Sequence, residues 1–322
     1  MTPTKLCFIT GHYFGYRALR GILETQSFDC GILEISLLIT VDATSRGITV
    51  GFQDVSAVQR AHGFRHSKVS SVKTAEAEDL VRAARPDYLL AIGLSELLPA
   101  RMLDIPMQIN AGRARHQASH ACIGMHPTLL PLGRGRAPIP WTIIKGLSET
   151  GVTAFLLEEC ADAGGIIYQD QFSITPSETA TTLYSKCGDA HQRLGSKIAQ
   201  LLACRRLSWS SQDESKAIVW PKRHPDDGLI DFSQPLQTID RLVRALTPPY
   251  PGAFFYWNAE RVIVNSIEWE VAPHSFLPGT ITAIREHGRP VIAAHDGFMT
   301  CCELISDNPD LSFELGRSVE DH

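Results

Sequence analysis

Two side chains in the stretch 122–170 have the types and surroundings to handle a proton. His126 stands directly before a Pro-containing turn, and Asp162 sits in a turn between Ala161 and Gly164. They are 36 positions apart, each at an element boundary beside glycine, so folding can bring them together. An imidazole titrates near neutrality; a carboxylate beside it can orient the ring or favour its charged form. Between them, Gly133-Arg134-Gly135-Arg136 offers glycine backbone for close approach and guanidinium groups for an anion. No serine or cysteine stands in an elbow motif, which disfavours a covalent acyl-enzyme. Direct attack of a substrate amine on a bound acyl donor fits better, so the stretch reads as an acyl-transfer centre. Singly, each residue has a plainer explanation, as a buried histidine or a turn aspartate capping a helix.

The elements that must position this pair alternate along the chain. Leu6-Cys7-Phe8-Ile9 reads as a buried first strand, Gly11 to Gly15 as a turn, and Tyr16 to Thr25 as a helix. The glycines at 11, 15 and 21 do not spell GxGxxG, so this is a tight βα turn rather than a dinucleotide site. Gly31 to Val41, Tyr88 to Ile92 and Val152 to Leu157 are further strands. Ala75 to Ala84 is a helix with acidic early turns. The alternation implies a parallel, three-layer α/β domain, whose ligands sit outside the carboxyl ends of its strands. Gly11, Gly93 and His126 fall at such ends and should line one crevice. Met107 to His120 reads as an inserted surface loop, opening on a strand-like Met107-Gln108-Ile109. Its His116 and His120 have helical metal-ligand spacing but no further ligand, so no metal is expected. Thr175-Pro176-Ser177-Glu178 is a capping box before an amphipathic helix over Leu183 to Leu202, with Asp189 and His191 expected on its exposed side.

Composition narrows the class. The 322 residues are 44% hydrophobic and 20% charged with net charge -5, a globular balance that does not by itself bind polyanions. No apolar run approaches a membrane span, and the N-terminus lacks a signal-peptide pattern, so a cytoplasmic location is expected. The eight cysteines contain no CxxC, and most read as buried thiols, with Cys122 and Cys160 weighed as nucleophiles and set below core packing. Beyond a polar stretch at 207–222, read as a linker, come a short helix over Leu236 to Leu246 and several short β segments. These suggest a small β-barrel at 223–322, after a first domain at 1–206.

HPTLLPLGRGRAPIPWTIIKG followed by TGVTAFLLEECADAGGII resembles the folate-dependent formyltransferases. That family includes methionyl-tRNA formyltransferase and the N-formyltransferases of nucleotide-linked amino sugars. Its H-x-SLLP-x-x-RG-x-x-P motif is here with Thr128 for the serine, and its later D-x-G turn follows at the proper separation. The likeness continues through PKRHPDDGLIDFSQ and RLVRALTPPYPGAFFYW, covering about residues 88 to 260. It implies a Rossmann-like parallel-sheet formyltransferase domain followed by an OB-like β-barrel, with 10-formyltetrahydrofolate as co-substrate. It makes His126 and Asp162 the catalytic pair and Arg136 an assisting group. Leu90, Ile92 and Gly93, with Leu130, Ala161 and Asp162, would hold the pterin. Where the family has an asparagine that polarises the formyl oxygen, two residues before the histidine, this chain has Gly124. Loss of such a donor typically costs about 10²–10³ in rate. Asn110 is one substitute from the inserted loop; Thr128, Arg136 and protonated His126 are others.

From residue 205 onward there are 11 Lys+Arg against 17 Asp+Glu, a poor surface for tRNA phosphates. A small amine, such as a nucleotide-linked amino sugar or a natural-product amine, is therefore favoured over initiator tRNA. Two rivals stay open: a folate-binding or sensing protein that lost its chemistry with the asparagine, and a hydrolase releasing formate from the same donor. The resemblance leaves a homodimer open.

Overall fold

The computed structural model describes residues 2–41, 51–111 and 121–319. The chain divides into two compact units. One comprises Met1–Gly135, Glu149–Ser173 and Ser185–Trp220; the other comprises Arg136–Ser148, Ile174–Tyr184 and Pro221–His322.

The first unit is built on a seven-stranded sheet. Its strands are β1 (Thr4–Thr10), β2 (Leu33–Val41), β3 (His66–Val69), β4 (Tyr88–Ala91) and β5 (Cys122–His126). A short β6 (Leu132–Gly135) lies outside this sheet, which continues with β7 (Glu149–Leu156) and β8 (Ile166–Ser173). The order is β3-β2-β1-β4-β5-β7-β8. The first four pairings are parallel, and β5–β7 and β7–β8 are antiparallel, so the sheet is mixed rather than wholly parallel. Leu6, Cys7, Phe8 and Ile9 of β1 have no exposed surface. A run buried on both faces is what a central parallel strand requires. Burying each such large apolar side chain contributes about 1.5–3 kcal/mol.

Helices α1 (Tyr13–Leu23), α2 (Gln26–Asp29), α3 (Ser56–His62), α4 (Ala75–Ala84), α5 (Ala100–Leu103) and α6 (Ile105–Ile109) connect these strands. Met107–Ile109 is therefore helical, not strand-like. Trp141 to Ile144 lie in α7 (Pro138–Ile144), and the long α8 spans Ala180–Ala203. The capping residue of α8 is Thr179, whose Oγ1 accepts from the Thr182 amide, so the expected capping box forms a turn just ahead of the helix. From residue 185 on, α8 crosses α1 at backbone distance. A Cβ on Gly195 would lie 2.1 Å from the Ala18 carbonyl oxygen, and one on Gly21 1.9 Å from that of Gln192. Arg17 of α1 donates to Gln192 and Asp189 of α8.

This crossing buries His191 completely, against the expected exposure. Its ring stacks on Phe14 at 4.5 Å, and its Nδ1–H donates to the Cys187 carbonyl at 2.6 Å. Burial lowers its pKa to about 3. The helical periodicity did place 191 near the apolar stripe, but a histidine is ordinarily assigned to the polar side.

In the second unit, α9 (Leu236–Ala245) packs on a five-stranded antiparallel sheet. The strands are β10 (Ala253–Trp257), β11 (Glu260–Val271), β12 (Ile281–Ile284), β13 (Pro290–Ala294) and β14 (Gly297–Ile305), in the order β10-β11-β14-β13-β12. Leu236, Ile239 and Val243 of the helix share a core with Phe255, Trp257, Val262, Val264 and Met299. The first unit also holds β9 (Ile218–Trp220), which pairs in parallel with β6. Among the described residues no helix is long and apolar enough to cross a membrane.

Candidate active site

Strands β1, β4 and β5 are adjacent and parallel, so their carboxyl ends share one edge of the sheet. His12 and Gly93 follow β1 and β4 there, and His126 is the last residue of β5. The chain turns opposite ways from β1, to β2 on one side and β4 on the other. Such a switch point is where an open α/β sheet leaves a ligand crevice. The His12 Nδ1 accepts from the Phe14 amide at 3.2 Å and so caps α1. Gly93 has φ +71, and a Cβ on it would stand 2.7 Å from the Cβ of His12. Only glycine fits both the conformation and the approach. The sequence reading passed over His12; a histidine just after a buried strand and a glycine was the available signal.

His126 is 8% exposed. Its Nε2 lies 2.8 Å from the carbonyl oxygen of Gly133, and its Nδ1 lies 3.7 Å from Oδ1 of Asp162. A carbonyl only accepts, so Nε2 carries the ring proton in the neutral imidazole and Nδ1 holds the lone pair. The basic nitrogen therefore faces the carboxylate, ready to take a proton and have its charge balanced. Asp162 is held in the left-handed region at φ 56, and its Oδ2 accepts from the Gly135 amide at 2.9 Å. The two residues singled out by spacing are thus brought together.

The turn after His126 is tied to β7 and β8. Thr153 Oγ1 donates to the Thr128 carbonyl at 2.7 Å and accepts from the Leu130 amide at 3.1 Å. Gln169 Nε2 donates to the Leu130 carbonyl at 2.9 Å. Thr128, 2% exposed, spends its hydroxyl on the Gly133 carbonyl at 3.4 Å.

The other expected residues differ in what their side chains can offer. Asn110 directs its amide nitrogen to the carbonyls of Pro86, just before β4, and of Pro106 in α6, at 3.2 and 2.7 Å, so both hydrogens are used by backbone and none is left for a formyl oxygen. Arg134, read as an anion receptor, is buried and engaged by Gln212 and Glu214. Arg136 is exposed at the start of the second unit. The side chains of Leu90, Ile92 and Leu130 are buried, so a ligand at that edge would meet their backbone; Gly93 is partly open and Ala161 is exposed. Burial pushes the Cys122 thiol up to about 12, which disposes of it as a nucleophile. His116 and His120 lie outside the described residues, and among those described no cluster could hold a metal ion.

Gly124 shares a face of β5 with His126, two residues apart. A Cβ built on it would lie 2.6 Å from Cδ2 of Leu157. An apolar side chain fills the space that a side chain at 124 would otherwise enter.

The family model for formyl transferase matches residues 24–197, and that for formyl transferase, C-terminal domain, matches residues 222–308. Among solved structures, the N-formyltransferase from Helicobacter canadensis in complex with folinic acid and dTDP-3-aminofucose is 16% identical with a TM-score of 0.64. That match covers 94% of this chain and 100% of the other. HypX from Aquifex aeolicus in complex with tetrahydrofolic acid is 16% identical, with a TM-score of 0.59 over 96% of this chain and 45% of that one. The chain thus spans less than half the length of that HypX. Methionyl-tRNA formyltransferase from Clostridium thermocellum is 15% identical, with a TM-score of 0.53 over 83% of this chain and 94% of that one. At such identities these likenesses speak for the fold.

Proposed function

Because this chain belongs to the formyl transferase family, we propose that it moves a formyl group from 10-formyltetrahydrofolate to the primary amine of a small molecule, a nucleotide-linked amino sugar or a natural-product amine. The observation that carries the reading is the His126 ring, with Nε2 committed to Gly133 and Nδ1 turned toward Asp162. The crevice edge supports a flat, polar donor: Ala161 is exposed and forms with Asp162 a turn of small residues, and Gly93 is partly open although His12 fills the space its side chain would take. The folate supplies an activated formyl carbon with an amine leaving group. As the substrate nitrogen bonds that carbon, Nδ1 of His126 takes the proton the nitrogen sheds. Asp162 balances the imidazolium, and the same proton then goes to the departing N10. Such a positioned base contributes typically about 10²–10⁴-fold.

The acidic balance beyond residue 205 supports a small amine over tRNA. The Leu157 side chain beside Gly124 favours one rival, a folate-binding protein without turnover. A single assay separates these readings. The protein is incubated with 10-formyltetrahydrofolate and, in turn, nucleotide-linked amino sugars, free amino sugars and initiator methionyl-tRNA. An N-formyl sugar is the expected product; formyl-methionyl-tRNA, free formate, or folate binding with no product would each point to a rival.

A further inference from the structure

Three consecutive residues of β6 each reach one part of the site. Gly133 offers its carbonyl to His126, Gly135 gives its amide to Asp162, and Arg134 between them turns the other way, into the segment that follows α8. There its guanidinium donates through Nε and Nη2 to Oε1 of Gln212, at 3.1 and 2.8 Å, and pairs with Glu214 at 2.6 Å. Gln212 passes the connection on. Its Nε2 donates to the backbone carbonyls of Asp162 and Gly164, at 2.8 and 2.7 Å.

This amide cannot turn over. A flip would set its NH2 against the guanidinium, two donors facing each other, and its oxygen against two carbonyls. Arg134 is 6% exposed and Gln212 9% exposed, so water does not readily replace either partner. What the amide grips is a turn in an unfavourable conformation, since Asp162 sits at φ 56 without being glycine. That residue's own carbonyl and the carbonyl of Gly164, two residues on, are fixed from one side by Gln212, and its carboxylate from the other by Gly135.

We propose that Gln212 is a positioning residue, holding the Asp162 turn left-handed so that the carboxylate stays aimed at Nδ1 of His126. It touches no reacting atom. Its effect on turnover rests on the formyl-transfer reading; its effect on the turn does not.

The test compares Gln212→Leu, which removes acceptor and donors at similar size, with Gln212→Glu, which keeps the acceptor for Arg134 but faces the two carbonyls with oxygen. Glu214→Gln, altering the exposed partner of Arg134, is the control. Each is assayed for formyl transfer to the amine giving turnover, and for residue-resolved amide hydrogen exchange without ligand. Both Gln212 variants should lose about tenfold to a hundredfold in kcat, as expected when a catalytic group is misplaced by about an ångström, with KM values within about twofold of the parent. The Gly135 amide and those of 162–165 should exchange faster while β1 and β4 are unchanged. Glu214→Gln should do neither. Unchanged Gly135 exchange in both Gln212 variants overturns the proposal, as does loosening spread through the whole first unit or a rise in KM matching the fall in kcat. Should the parent transfer no formyl group, the exchange result alone decides the positioning role, and the reaction assigned above fails separately.

Discussion

The carbonyl oxygen of Gly133 stands 2.8 Å from Nε2 of His126, and this bond selects the working nitrogen of the ring. With Nε2 committed as donor, only Nδ1 can receive a proton, and Nδ1 is the nitrogen on the Asp162 side. The carbonyl is aimed by a residue at φ +73, where a Cβ would stand 2.7 Å from the Trp220 ring. Gly133→Ala should therefore destabilise the protein by about 2–4 kcal/mol, from left-handed strain and overpacking together. Urea unfolding measures this; a loss under about 0.5 kcal/mol would show that the turn tolerates a side chain there.

Asp162 combines a charge with a strained backbone, and two substitutions separate them. Asparagine accepts the Gly135 amide and tolerates positive φ, so Asp162→Asn should keep its stability within about 0.5 kcal/mol while lowering kcat by about tenfold or more. Asp162→Val should lose activity and, in addition, at least about 1 kcal/mol of stability, since a β-branched residue resists that conformation. Equal unfolding midpoints for the two variants would contradict the strain argument.

Gly124 and Leu157 make a pair that can be exchanged. The clash of a side chain at 124 is with the tip of Leu157, a flexible group, so Gly124→Asn combined with Leu157→Ala should fold. If the formyl oxygen lacks a donor from this strand, the double variant should raise kcat about tenfold, part of the 10²–10³ typical of such a donor. A lower kcat in a well-folded double variant would mean that another group already serves the oxygen.

His191 gives a pH signature unrelated to catalysis. Its folded pKa is depressed to about 3 by burial, below the ordinary histidine value, so the unfolded chain takes a proton first as the medium is acidified. Its contribution is fully present above about pH 6.5 and is lost as pH falls toward 3, by up to about 1.4 kcal/mol per pH unit. His191→Phe should stay stacked on Phe14 and flatten the stability profile between pH 6 and 4 by about that slope. Parallel profiles for parent and variant in chemical unfolding would show that another group governs the acid limb.

Much of this was legible in the chain. Buried runs such as Leu6–Ile9 and Tyr88–Leu90 marked the central strands because their apolarity is continuous, and the glycines at their ends marked the crevice edge. His126 and Asp162 were visible through residue type and boundary position. What escaped had no local signal. Gln212 sits in a polar stretch that reads as a linker, and its partners are 78 and 50 positions away. Arg134 beside Arg136 looks like a solvated anion loop until strand pairing with Ile218–Trp220 buries it. Asn110 looked available because sequence does not show that two backbone carbonyls claim its amide.

The central claim, proton transfer through His126, is tested most directly by His126→Gln. The variant and parent are compared for N-formyl product formed from 10-formyltetrahydrofolate and a nucleotide-linked amino sugar, with unfolding midpoints measured alongside. The account predicts a kcat lowered at least about hundredfold in a protein that still folds. Full formyl transfer by the folded variant would contradict it.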